Sequence, residues 1–439
     1  MASRGAIETA LADFERRPYW WASMPALPDR RATELPAKAD VVVVGGGYTG
    51  LAAARALTKA GRSVAVLEAE RLGWGASARN GGIVHPGYQF GPRELGRRYG
   101  LGRGHELWSD ALEAYAHLRD LIAAEAIDCD WDERGHLELA WSKGHATGLE
   151  EHVEELREGG VEARWVPKGE LRAEIGTDFY AGAAAIEGSA GVHPGKLFVA
   201  IARLAERDGA GLHEGARVRR LDVRGPRLVR VETERGTIEA GAVVVATNGY
   251  TDGAVPFLRR RILPIGSYIV ATEPLSAELA ASIAPTGRVF FDSKHFLYYW
   301  RLTADRRLVF GGRISFLPTN TTRTSRALVK GMLAVHPQLE GVRVEYAWGG
   351  KVGFTFDRMP HAGRRPPIWY ALGYCGTGVC LSTYLGMRVG EWLAGTRDAP
   401  ALANLSFPLV PAPYEGRPWF LPFVGEWYRM RDRVDRLRG

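Results

Sequence analysis

Cysteine is scarce in this chain: Cys129, Cys375 and Cys380 are the only three among 439 residues. They form neither an even disulfide framework nor a metal-ligand spacing, so no metal is expected and a reducing cytoplasm is the compartment the composition suggests. Long hydrophobic runs are missing too. No stretch reaches about eighteen apolar residues, the length needed to span a bilayer. The first residues carry Arg4, Glu8, Asp13, Glu15, Arg16 and Arg17 ahead of any apolar run, which argues against a secretory signal. There is no internal repeat and no low-complexity tract. Ser, His and Cys stand in no nucleophile motif, so a covalent triad is not expected. Positive charge is in excess, with a net charge of +7. The arginines are dispersed and no nucleic-acid-binding module is recognisable, so a nucleic-acid partner is not expected either.

Against these absences stands one dense motif. Residues Asp40 to Glu68 read DVVVVGGGYTGLAAARALTKAGRSVAVLE. An apolar strand, a glycine turn, an alanine-rich helix and a second strand ending on an acid make a dinucleotide-binding βαβ unit. Gly45 permits the tight turn, Gly47 lets the backbone approach a pyrophosphate, and Gly50 lets the helix pack on the strand. The pyrophosphate then meets the helix N-terminus at Tyr48 and Thr49. Glu68, with Ala69 after it, stands where a carboxylate accepts hydrogen bonds from both ribose hydroxyls and repels a 2′-phosphate. The spacing leaves open which dinucleotide is bound.

The following segment, Arg71 to Gly82, reads RLGWGASARNGG. Here the chain resembles the D-amino-acid oxidase and sarcosine oxidase superfamily, and within it the branch of gamma-glutamylputrescine oxidoreductases, which carry a similar GASxRNGG loop. The resemblance implies FAD. It also implies that Arg71, Ala76, Ser77, Arg79, Asn80, Gly81 and Gly82 run beneath the pyrophosphate and along the flavin edge. Three later segments resemble further cofactor contacts of the same family. LHEGARVRRL puts Val218 near the adenine, and GAVVVATNGY ends in a turn with Thr247 and Gly249. In YALGYCGTGV, Gly373, Gly376, Thr377, Gly378 and Val379 open a helix toward the pyrimidine end of the flavin, where its N-terminus favours negative charge.

A chain of this length exceeds one compact core, and two interleaved domains are expected. The implied fold class is α/β plus α+β: a Rossmann-like, glutathione-reductase-type FAD domain interleaved with a mixed-sheet substrate domain. The FAD domain is assigned to residues 38–100, 187–255 and 349–405, and the substrate domain to 101–186 and 256–348. Residues 1–37 form an N-terminal arm and 406–439 a C-terminal tail. Periodicity predicts an amphipathic helix over 103–126 and a hairpin over 297–313 that turns at Ala304 to Arg306.

The implied chemistry is oxidation of a C–N bond in an amine or N-substituted amino acid, by hydride transfer to flavin N5 and hydrolysis of the product imine. Electrons pass to O2, a quinone or another carrier. A dehydrogenase of C–OH substrates and a non-catalytic flavin-binding module are the competing readings. Alignment with sarcosine oxidases places Tyr298 and Arg313 at substrate-contacting positions, and AWGGKVGFTFDRMPHAG, similar to a WGG and DRMPH run of the gamma-glutamylputrescine oxidoreductase branch, implies Trp348 or Lys351 near the flavin face. Arg313 is suited to clamp a carboxylate. The segment in which sarcosine oxidases attach their flavin corresponds to 351–357 and holds no cysteine, so FAD is expected to be non-covalent. The lysine those enzymes use with oxygen falls at Val309, and the family's late histidine at Thr377. A different cation, Lys294, Lys351 or a protonated His, would then have to serve oxygen. His85 and His193 are assigned no role. Finally, PWFLPFVGEWYRMRDRVDRLR over 418–438 combines aromatics with arginines, which suits either a helix docked on the body or one lying on an anionic membrane surface.

Overall fold

Val41 to Val44 offer apolar side chains to both faces of a strand, and only a sheet covered on both sides buries such a run. In the computed structural model, which describes residues 3–316, 319–411 and 413–437, β1 (Lys38–Val44) is central in an eight-stranded sheet. It pairs in parallel with β2 (Val64–Leu67) and β11 (Gly236–Val245). Outside β2 lies β8 (Gly211–His213). Beyond β11 come β18 (Ile368–Leu372), parallel, and β17 (His361–Arg365), antiparallel. A meander of β9 (Val218–Gly225) and β10 (Leu228–Thr233) joins β11 and covers one face.

The other face is covered by three helices, Tyr48–Lys59, Leu101–Ala124 and Gly378–Ala394. A side chain at Gly386 would lie 2.2 Å from the Thr49 carbonyl oxygen, and one at Gly390 2.7 Å from that of Ala53. The first and last helices therefore cross almost backbone to backbone. The Leu101–Ala124 helix matches the expected amphipathic helix, yet Leu107, Ala111, Ala114 and Leu118 share a core with Val41, Val43 and Leu51. It packs with the dinucleotide-binding layer, unlike the 101–186 assignment, because helical periodicity marks an apolar face without naming what covers it.

The second sheet has the order β16, β12, β15, β14, β13, β4, β6, β5. These are β4 (His136–Leu139), β5 (Ala163–Pro167), β6 (Gly182–Ile186), β12 (Leu263–Thr272), β13 (Val289–Asp292), β14 (Tyr298–Leu302), β15 (Leu308–Gly312) and β16 (Val344–Phe354). The expected hairpin is β14 and β15, with Arg306 in a left-handed turn. The last strand runs on to Phe354, past the boundary set at 349. Gly349 and Gly350 stay in the ladder, opposite Tyr268 and Ser267. One sheet face buries Leu137, Leu139, Phe290, Trp300 and Phe310 under the Thr321–Val335 helix. A two-stranded ribbon, β3 (Ile83–Val84) with β7 (Ala190–Gly191), leads between the sheets. The arm and the tail each end up on the body, through the Tyr19–Ser23 and Leu421–Leu437 helices. No helix among the described residues is long and apolar enough to cross a membrane.

Candidate active site

The turn after β1 is built as the glycines require. Gly45 has φ +108°, and a side chain there would meet the Ala246 carbonyl oxygen at 2.8 Å. At Gly50 an added carbon would lie 1.9 Å from the Gly45 carbonyl oxygen, so only glycine lets the helix start against the strand. At Gly47 the added carbon would meet only the Ser77 hydroxyl, at 3.0 Å. Ser77 Oγ accepts the Tyr48 amide at 3.0 Å. Thr49 is buried and shares a hydrogen bond with the Tyr374 hydroxyl. Glu68, at the end of β2, accepts the amides of Gly46 and Glu70, both at 3.0 Å. No cation pairs with it among the described residues, and burial raises its pKa. A half-buried carboxylate fed by amides alone, beside an open helix N-terminus, fits the ribose and pyrophosphate of a dinucleotide.

The chain from His213 to Val218 runs past this corner, since the Ala216 amide donates to the Glu68 carbonyl and the Glu68 amide to that of His213. Thr247 opens the turn after β11. A side chain at Gly249 would lie 2.9 Å from the Gly353 nitrogen, and Asn248 Oδ1 accepts the Gly373 amide. Gly376 has φ +107° and open space where a side chain would be. Thr377, Gly378 and Val379 then start the Gly378–Ala394 helix. The two helices run the same way, Gly386 against Thr49 and Gly390 against Ala53, so the Gly378 end lies about two turns beyond the Tyr48 end.

The loop between these ends is held by its own polar groups. Asn80 Nδ2 donates to the carbonyls of Ala76 and Ser77, while its Oδ1 accepts the Gly82 amide. Arg79 donates to the carbonyls of Trp74 and Gly349, with its guanidinium 4.9 Å from the Trp21 ring and 4.7 Å from Trp74. Arg79 is thus a strut of the loop. Arg71 is exposed, and Ala69 follows Glu68 into a turn.

Facing this loop is the open face of the second sheet. Cross-strand register strings Glu138, Phe291, Tyr299, Gly311, Ile269 and Trp348 into one row, and directly paired residues project to the same face. A side chain on Gly81 would strike the Tyr299 ring at 2.8 Å, so the loop lies on this row. Trp348 donates its indole N–H to the Arg79 carbonyl at 2.9 Å. The Tyr299 hydroxyl bonds to Ser267 at 2.9 Å, and burial pushes its pKa up to about 12, so the phenol stays neutral. Arg301, two residues on, donates to the carbonyls of Gly81, Val192 and Leu302. Burial lowers it only to about 10, so it remains a cation.

Tyr298 is turned the other way. It packs on Gly331 of the Thr321–Val335 helix and lies under the Lys294 ammonium, which is 3.1 Å from its ring centroid and paired with Asp292 at 2.6 Å. Strand alternation makes one of two adjacent tyrosines face the loop, and it is Tyr299. Lys294 is spent in the same buried pair on the helix side, away from the row. Lys351 is exposed, with its ammonium 5.4 Å from the Tyr250 ring. Arg313 does lie on the Tyr299 side. It is half-buried, 4.9 Å over the Phe354 ring, and donates to the His295 carbonyl at 3.4 Å. No acid pairs with it among the described residues.

Sequence reasoning missed Glu138, Phe291, Tyr299 and Arg301, which no short motif marks. Alternation in HLEL, with Leu137 and Leu139 inside, was the available signal for Glu138. It also missed Trp20 and Trp21 of the arm, whose indoles donate to the carbonyls of Asn80 and Gly73.

Residues 40–392 match the family model described as DAO, FAD dependent oxidoreductase. The chain belongs to this family and is an FAD-dependent oxidoreductase. It is 36% identical to gamma-glutamylputrescine oxidoreductase of Escherichia coli K12 over 402 residues, which is 90% of this chain and 93% of that protein. Similarity to a probable oxidoreductase, OrdL, of Rhizobium meliloti is 33% over 417 residues, covering 93% and 94%. Among solved structures, glycine oxidase of Geobacillus kaustophilus superposes with a TM-score of 0.72 at 23% identity, over 86% of this chain and all of that one. The 351–357 segment holds no cysteine, and all three cysteines are buried.

Proposed function

We propose that this enzyme oxidises the C–N bond of an amine whose far end carries a carboxylate, the class to which γ-glutamyl amines belong, and passes the electrons to O2 or to a quinone or protein carrier. The relative named for gamma-glutamylputrescine supports the class. The observation that carries it is Arg313, a half-buried guanidinium without an acidic partner among the described residues, on the sheet face that the flavin loop covers.

Two unpaired charges of opposite sign bracket that face. Among the described residues Glu138 has no hydrogen bond and no ion pair, and it lies three strands from Gly311, two residues before Arg313. At the usual strand spacing the separation is about 14 Å. Between them Phe291 and Tyr299 offer a largely apolar floor. A linear substrate with a carboxylate at one end, an amine at the other and a methylene spacer matches this row better than glycine does.

Bound FAD supplies the acceptor for the hydride lost from the carbon next to nitrogen, and the imine so produced hydrolyses in water. The protein's part is orientation and exclusion of water. Arg313 clamps the carboxylate by paired N–H donors. Tyr299, held by Ser267, and Trp348, held by the Arg79 carbonyl, fix the wall against which the spacer lies. Arg313→Met tests the reading. It should raise KM at least about tenfold for a carboxylate-bearing amine, the scale of one charge-assisted pair, and leave KM for a neutral amine nearly unchanged. Equal rises for both would remove Arg313 from the substrate site.

A further inference from the structure

The Leu421–Leu437 helix docks on the body by one face and leaves an apolar stripe on the other. Phe423, Trp427, Met430, Val434 and Leu437 are between 36% and 86% exposed. Their spacing of four and three residues confines them to an arc of about 80° at 100° per residue. The docked face is complete without them. Leu421 joins the core that contains Phe296, Phe316 and Tyr414. Asp432 accepts the amides of His295 and Phe296 at 2.9 and 3.0 Å, its own carbonyl accepts the Trp141 indole, and Arg436 donates to the carbonyls of Trp141 and Phe179. The stripe is therefore not needed to hold the helix in place.

The charges are sorted in the same way. Both aspartates of the helix point inward, Asp432 to the two amides and Asp435 toward His145 at 3.7 Å. Glu426 is neutralised by Arg429, which also reaches the Ile314 carbonyl. What is left outside is cationic: Arg431, 5.2 Å from the Trp427 ring, and Arg433, both exposed and without an acidic partner among the described residues. On the helical wheel they flank the stripe on its two sides, about 80° either way. From this sorting we propose that the outer face of the Leu421–Leu437 helix lies on an anionic phospholipid surface, with the apolar stripe at the acyl boundary and the two arginines at the headgroups. A second copy of the helix fits less well, because two-fold pairing of this face gathers Arg431 and Arg433 of both copies, and the acid beside the stripe, Glu426, is already paired with Arg429.

The test is co-sedimentation of the holoenzyme with vesicles of phosphatidylserine in phosphatidylcholine and with phosphatidylcholine alone. The mixed vesicles should carry the protein down at low salt and release it at high salt, and the neutral vesicles should not. Arg431→Gln with Arg433→Gln should lower the partition about thirtyfold, at the usual contribution of a basic residue near such a surface. Phe423→Ser with Trp427→Ser should abolish it. Both pairs should keep their FAD content and amine turnover, since the four side chains lie outside the 71–82 loop and the Glu138 to Trp348 row, touching one another and Tyr428. Failure to sediment at low salt overturns the proposal. So does a dimer, seen by light scattering, that the Phe423→Ser, Trp427→Ser pair converts to a monomer, for then a second copy covers the stripe.

Discussion

Glu68 is held by backbone amides alone, so nothing but a ligand competes for its remaining lone pairs. Glu68→Ala should weaken FAD binding by about 1 to 3 kcal/mol, the scale of hydrogen bonds to a charged group, as read by fluorescence titration of the apoprotein. Unchanged affinity would mean that another group holds the ribose. Gly47→Val should leave a protein that no longer retains yellow colour, because a side chain on that face obstructs the pyrophosphate. At Glu138 the prediction is one of pH. Burial raises its pKa above the ordinary value, with His152 opposing the shift and Asp292 adding to it. The carboxylate attracts a cationic substrate only above that raised pKa, so kcat/KM should fall as pH drops through it. In Glu138→Gln that limb should vanish, and its persistence would assign it to another group. The glycines and Glu68 were legible in sequence because a nucleotide imposes fixed spacings. Tyr299 and Glu138 were not, because which side of a strand faces the flavin depends on register with strands far away in the chain.

At the scale of elements, the arm is the least expected feature. Trp20 and Trp21 each donate to a carbonyl of the 71–82 loop, and Trp21 stacks on Arg79. A loop of small residues has little packing of its own, so this clasp should set how firmly it is held. Trp20→Ala should lower the melting temperature and the FAD affinity together, with about 3 to 5 kcal/mol lost on truncation of a fully buried indole. A stability loss without any change in FAD affinity would make the clasp purely structural. Nothing in the sequence PYWWAS ties it to residue 80, since the contact is long-range and carries no motif. The β14–β15 hairpin and the Leu101–Ala124 helix were legible from local periodicity, whereas the partner of that helix was not. Within β16 glycine marks close approach, since the Arg79 side chain passes over Gly350.

For the whole molecule, two buried histidines fix a pH limit on stability. His193 caps the Pro194–Arg207 helix and burial holds its pKa at about 4, while His336, whose ring nitrogens have no partner among the described residues, is held at about 3. Both stay neutral in the folded state and take up protons near pH 6.5 once unfolded. Stability should therefore fall as pH drops below 6.5, by about 1.4 kcal/mol per unit for each histidine, until about pH 4 for His193 and lower for His336. Urea unfolding in that range measures it, and His193→Asn should remove one share of the slope.

The central claim is that the paired sheets hold FAD against a row of side chains that binds a carboxylate-bearing amine. It is tested most directly by mixing the yellow protein, without oxygen, with γ-glutamyl amines, polyamines, N-methyl amino acids, D-amino acids and hydroxy acids, and following the flavin absorbance. Bleaching by an amine that carries a distal carboxylate, faster than by its neutral analogue, is the predicted result, and the rate of recovery in air then identifies the electron acceptor. Bleaching by hydroxy acids alone, or by none of these compounds, would contradict it.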